Sequence, residues 1–389
     1  MVSNSSTMNI SLVADPLYDG ISATRCNIAA SGADFRYNQS MSRSGHYART
    51  AISKIKLLLG NFYVNQSGGN WLETGSGSSV TITASIEYPS GTFTQIKFGG
   101  SASGTILNNN TILSDYVTIS IPKGAQFWVR QFWVNTTGIN YYFGLRNTSM
   151  GDAMTHAASG LSDQTLSGTV TDTDGLGILF PLAIISPITQ PSFVVYGDSV
   201  GAGQGDAFDS TGNQGYIARC LGPTFGYTSA CASGDQAHYY AASNIQRAKL
   251  MSYCSTAIFQ YGVNDFNSRG QTAAQLETDL TTCYGTVPSN IKKTYQVTVL
   301  PLTTSTDSYV TLGNQTHSGW ETARLTFVDA LRAGTFNSGN YLDGAAGIET
   351  SQDSGYWVTP SYTTDGVHPN IAGIALMANK NTIPITSIK

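Results

Sequence analysis

Charge is scarce in this chain. Only 11% of its 389 residues are Asp, Glu, Lys or Arg, under half of the roughly 25% usual in soluble domains. Disordered chains pair low apolar content with high charge. Here 41% of residues are hydrophobic, which excludes that class. Net charge is −4 and no Lys/Arg cluster occurs, so neither nucleic acid nor an anionic membrane surface is an expected partner. No apolar run approaches the 18 residues or so of a spanning helix, so membrane insertion is not expected. Residues Met1 to Pro16 lack the basic start and apolar core of a signal peptide. The five cysteines include no Cys-x-x-Cys pair and none beside a histidine, so no metal site is expected. Disulfides Cys220–Cys231 and Cys254–Cys283 would close loops of ordinary length, and buried free thiols are the alternative. Oxidised pairs would indicate life outside the cytoplasm.

Gly, Ser, Thr and Asn stand where charges are missing. A surface of hydroxyls and amides accompanies secreted proteins, adhesins and phage tail proteins, and an extracellular or virion-associated setting is expected.

Two textures meet near residue 190. Before it, Val80 to Tyr88 alternates apolar and polar residues, and Tyr116 to Ile121 and Phe127 to Val134 also read as strands. Turn-forming residues separate them, which predicts an all-β sandwich or jelly roll over residues 1–190. Ala48 to Leu59 fits a helix or a strand. Phe127, Trp128, Phe132 and Trp133 fall on both faces of one strand, which implies burial on both sides or one sticky face. A glycan-binding or assembly role would suit this half.

After residue 190 come unbroken apolar runs: Phe193 to Tyr196, Ala257 to Tyr261 and Tyr295 to Leu300. Such runs mark parallel strands covered on both faces. Helical patterns lie among and beyond them at Ala237 to Met251, Thr272 to Tyr284, Trp320 to Ala333 and Ile371 to Asn379. Residues 191–389 are therefore expected to form an α/β domain. Ser186 to Pro191, with two prolines, reads as the linker.

Three motifs in the second half supply the parts of acyl transfer. Gly197-Asp198-Ser199 puts a hydroxyl at a strand end, where open α/β sheets gather reactive groups. A serine hydroxyl needs a base. Asp365-Gly366-Val367-His368 supplies an imidazole and, three residues earlier, a carboxylate able to hold its Nδ1 proton. Gly262-Val263-Asn264-Asp265 places an amide beyond another strand, as a donor to a developing oxyanion. Each motif also has an ordinary reading as a turn. Gly197 to Gly201 fits the Gly-x-Ser-x-Gly pattern of α/β-hydrolases. That fold would need strands and helices ahead of the serine, where this chain reads as all-β.

In these blocks residues 193–389 resemble the SGNH/GDSL-type hydrolases. The resemblance implies a three-layer α/β/α domain with a parallel sheet. It assigns Ser199, Asp365 and His368 as catalytic, and Ser199, Gly234 and Asn264 as the oxyanion hole. Gly234 comes from Ser233-Gly234-Asp235, the best match to the family's second block. One departure is the Gly-rich stretch Val200 to Gly215, where the family usually enters a helix. The resemblance implies a serine esterase without cofactor that removes O-acetyl groups from a polysaccharide. A short-chain lipid or aryl esterase is the alternative. Tyr356, Trp357 and Tyr362 are candidate substrate-binding residues, with packing as their competing role; His317 and Trp320 pose the same choice. A further reading, from another class, is a phage tail or surface-adhesion protein, expected as a trimer, carrying an auxiliary or degenerate esterase module.

Overall fold

The computed structural model describes residues 17–384, apart from 30–32, 68–69, 141, 144, 174 and 176. The segment Met1 to Pro16, read above for a signal peptide, lies outside the described residues.

Up to residue 188 the described elements are strands and one short 3-10 turn. The longest build two antiparallel sheets. One is ordered Tyr18–Ile21, Ala183–Ile188, Ile52–Asn61, with Asn110–Leu113 and Val117–Ile121 both pairing with Ile52–Asn61. The other is ordered Ser103–Ile106, Val80–Glu87, Gln126–Val134, Gln39–Tyr47, Ala153–Ala157. The ambiguous segment 48–59 is thus a strand from Ile52 onward, rich in the Ile and Leu that fill the core.

Gln126–Val134 shows how its aromatics are used. Phe127, Val129 and Trp133 are buried on one face. On the other, Trp128 lies under the Arg43 guanidinium, 4.0 Å away, and donates its indole N–H to the Met150 carbonyl at 2.7 Å. Arg130 and Arg43 both bind the Glu87 carboxylate. Both faces are covered, so no sticky aromatic face results.

The expected linker is partly a strand. Ser186, Pro187 and Ile188 pair with Gly20, Asp19 and Tyr18. Ile52–Asn61 pairs only with residues 183–185 of this strand. Pro187 therefore sits where the second side is open and its missing N–H leaves no ladder bond unmade.

The second half carries a six-stranded parallel sheet, in the order Cys26–Asn27, Tyr227–Ser229, Phe193–Gly197, Thr256–Gln260, Lys293–Val297, Tyr341–Leu342. Every residue of Phe193–Gly197 and Thr256–Gln260 is buried, as a sheet covered on both faces requires. Helices Ala237–Ala242, Ala273–Gly285 and Glu321–Arg332 pack in one group, and Tyr216–Leu221 with Ile371–Asn379 in another. The edge strand Cys26–Asn27 comes from the first half, so the boundary at residue 190 is crossed by the sheet itself. One buried apolar cluster likewise draws on both halves.

The helix expected over 237–251 is three pieces: Ala237–Ala242, Ile245–Ala248 and a 3-10 turn at Lys249–Tyr253. The break at Ser243–Asn244 is satisfied from the first half. The Glu73 carboxylate accepts the N–H groups of Gln246 and Arg247 at 2.7 and 2.8 Å, serving the open amides of the second piece. Among the described residues, no helix is long and apolar enough to cross a membrane.

Candidate active site

Ser199 follows the central strand Phe193–Gly197 and is 5% exposed. Its Oγ lies 2.7 Å from His368 Nε2. On the far side of the ring, His368 Nδ1 lies 2.7 Å from Asp365 Oδ2. The other carboxylate oxygen of Asp365 accepts the backbone N–H groups of Val367 and His368 at 2.9 and 2.8 Å. Burial raises the Asp365 pKa. The His368 ring and these two N–H groups outweigh it and hold the carboxyl below the ordinary carboxylate range. An ionised Asp365 calls for a proton on Nδ1, which leaves Nε2 as the acceptor facing Ser199.

The turn is rigid because its backbone is tied down. Gly366 has φ +74°, and a Cβ there would strike the Thr303 carbonyl and the Tyr309 hydroxyl. Only glycine fits that approach. Its N–H donates to Thr363 Oγ1 at 2.9 Å, and its carbonyl accepts from Thr303 N and the Trp357 indole, each at 3.2 Å. Asn370 then caps the helix Ile371–Asn379 through the Gly373 N–H at 3.0 Å.

Next to the serine, Asp198 is wholly buried. Burial pushes its carboxyl up to about 7, against the opposing N–H of Val200, which it accepts at 2.9 Å. Its second oxygen has no partner among the described residues.

The expected oxyanion donors come from three segments linked by hydrogen bonds. Ala232 N–H donates to the Gly197 carbonyl at 3.0 Å, which draws the loop 231–235 along the end of the serine strand. Gly234 has φ +85°. The backbone N–H groups of Ser199 and Gly234 donate to no group among the described residues. Asn264 is half-buried in the first turn of a short helix, Val263–Asn267, where the sequence suggested a bare turn. Its amide donates to the Asp235 carbonyl at 3.3 Å.

Behind this loop sits a charge cluster that sequence spacing did not reveal. Arg247 and Asp235, both 0% exposed, are 2.5 Å apart. Asp235 also accepts the Tyr261 hydroxyl at 2.9 Å, and Arg247 reaches Glu73 at 3.3 Å. A buried ion pair needs such partners, but residues 73, 235, 247 and 261 share no pattern along the chain.

The candidate substrate-binding aromatics differ in exposure: Tyr356 and Tyr362 are half-exposed and Trp357 is buried. Trp357 is 0% exposed, leaving no face for a ligand; it packs behind the Asp365–His368 turn. Tyr356 stacks on His317, 4.0 Å between ring centres. Tyr362 packs against the core and turns its carbonyl to the Asn370 N–H. Trp320 leads into the helix Glu321–Arg332 and covers Gly270. An open cleft of about 530 Å³ beside Asp365 and His368 is lined instead by Gln204, Gly205, Thr364, Asn370, Ile371 and Ala372. Gln204 and Gly205 belong to the Gly-rich stretch after the serine, which forms turns until the helix Tyr216–Leu221. Asp206 ties that stretch down by binding Arg219 through both oxygens. All five cysteines are free and buried, so neither candidate disulfide is present.

No protein-family model matches the chain, and no curated protein does. Among solved structures, the chain is similar to a GDSL-like lipase from Bacteroides thetaiotaomicron VPI-5482. Identity is 14%, TM-score 0.36, covering 51% of this chain and 89% of that one. It is similar also to a carbohydrate acetylesterase family member from Sinorhizobium meliloti, with 14% identity, TM-score 0.37, and 51% and 98% coverage. A third is an acetylxylan esterase from Geobacillus stearothermophilus, with 15% identity, TM-score 0.34, and 49% and 91% coverage.

Proposed function

We propose that this protein is a serine esterase acting through an acyl-serine intermediate. The observation that carries the reading is the unbroken hydrogen-bonded line Ser199 Oγ, His368 ring, Asp365 carboxylate, with both links at 2.7 Å. Ser199 Oγ attacks the ester carbonyl while His368 Nε2 takes its proton. The tetrahedral oxyanion is held by the free N–H groups of Ser199 and Gly234 and by the Asn264 amide. Collapse expels the alcohol oxygen, which receives the proton from His368. Water then attacks the acyl-serine, giving its proton to His368, and the acid leaves as Oγ is reprotonated.

The finer part of the proposal is the substrate: a short acyl group, acetyl above all, on a carbohydrate. In support, the cleft beside His368 has one large apolar side chain, Ile371, among small and polar neighbours. A polar alcohol partner suits a lining of amides and hydroxyls.

The test is Ser199→Ala. Ester turnover is expected to fall by about 10⁴-fold or more, with melting temperature unchanged. Acetate released from an acetylated polysaccharide, and lost in the same variant, would carry the substrate assignment. Turnover of long-chain esters above acetyl esters would contradict it.

A further inference from the structure

The hairpin Tyr63–Ser67 and Asn70–Thr74 belongs to the β-rich first half, yet its second strand ends against the loop that bears Gly234. The Trp71 indole N–H donates to the Ser233 carbonyl at 2.7 Å. Its ring lies so close over Gly234 that a Cβ there would collide with it. Trp71 and Glu73 are two apart on one strand and so share a face. Glu73 anchors that face by accepting the N–H groups of Gln246 and Arg247, and Arg247 grips Asp235. Two contacts from one strand thus bracket residues 233–235.

The Ser233 carbonyl and the Gly234 N–H belong to one planar trans peptide, so they point in opposite directions. Whatever fixes the carbonyl fixes the N–H. At Gly234, with φ +85° and no Cβ, glycine tolerates the turned-over peptide at little cost. The plane therefore needs an external restraint, and the indole supplies one. A bond accepted at the carbonyl also polarises the N–H across the same peptide and strengthens it as a donor. The geometry points to Trp71 as a positioning residue for the oxyanion hole: it holds the Ser233–Gly234 peptide with its N–H turned toward the ester oxygen on which negative charge develops. This rests on the esterase reading of Ser199 and Gly234. A tryptophan serving only to dock the hairpin would be expected to bury its ring, whereas Trp71 is half-exposed and stands beside Tyr239, 5.7 Å between ring centres.

Trp71→Phe keeps a ring over Gly234 and removes the donor. With the full chain and p-nitrophenyl acetate, kcat is expected to fall about tenfold, short of the roughly 10²–10³ for outright loss of an oxyanion donor. KM should stay within about twofold, because the ground-state carbonyl makes little use of the hole. Phenylboronic acid, which forms a tetrahedral adduct on the serine, should inhibit more weakly by a factor matching the loss in kcat. Wild-type kcat in Trp71→Phe would overturn the proposal. So would a rise in KM alone, which makes Trp71 a substrate wall. So would a drop in kcat with unchanged boronate inhibition, which makes it a packing residue. Ser199→Ala run alongside separates the two failures: turnover surviving there removes the esterase reading, whereas an inert Ser199→Ala beside an unaffected Trp71→Phe removes only the role of Trp71.

Discussion

Single residues carry the chemistry here, and their environments oppose one another. Asp365 is held ionised by the His368 ring and two backbone N–H groups. Asp198, one residue from Ser199, is pushed up to about 7 by burial. In the unfolded chain an aspartate titrates near 3.9. From about pH 4 to about pH 7 the folded state therefore holds a proton on Asp198 that the unfolded state has released. Its contribution to stability is full below pH 4 and is lost as pH rises through 7. Asp198→Asn mimics the protonated form and escapes that loss. The variant is expected to match the parent at pH 4 and to exceed it at pH 8 by up to about 4 kcal/mol of unfolding free energy. Equal gains at both pH values, measured by urea titration, would refute the assignment. Arg247 is the opposite case, a buried cation whose removal strands Asp235 and Glu73. Arg247→Met should cost about 3–5 kcal/mol, read from the same titration.

At the level of elements, what was legible followed from local pattern. The fully apolar run Phe193 to Tyr196 is the central strand, and Ile371 to Asn379 is a helix with the bounds its pattern suggests. The close spacing of Asp365 and His368 brings them together because the turn between them is local. What was not legible depends on distant contacts. The break at Ser243–Asn244 answers to Glu73, some 170 residues away. Trp357 looks in sequence like any aromatic near a catalytic turn, and only the packed fold shows it buried. The cleft lining from Gln204, Gly205 and Thr364 lies on loops whose course no periodicity describes. The Gly-rich stretch after Ser199 has no helix until Tyr216, and Asp206 holds it down through its bonds to Gly215 and Arg219.

Taken whole, the molecule joins its halves more closely than a change of texture near residue 190 suggests. Cys26–Asn27 is the outer strand of the parallel sheet, and the hairpin strand Asn70–Thr74 holds the loop at Gly234. Residues of both halves fill one apolar cluster. Elements that share a core unfold together. Calorimetry is expected to show a single transition, and residues 191–389 expressed alone should fail to give a cooperative one. Two well-separated transitions in the full chain would show halves that fold independently.

In the proposed mechanism Ser199, hydrogen-bonded to His368, becomes acylated during turnover. The most direct measurement is the mass of the intact protein quenched in acid during turnover of p-nitrophenyl acetate. The expected result is a single added acetyl group that maps to Ser199 and is absent from Ser199→Ala. Turnover with no acyl adduct in the parent, or an adduct that persists in Ser199→Ala, would contradict it.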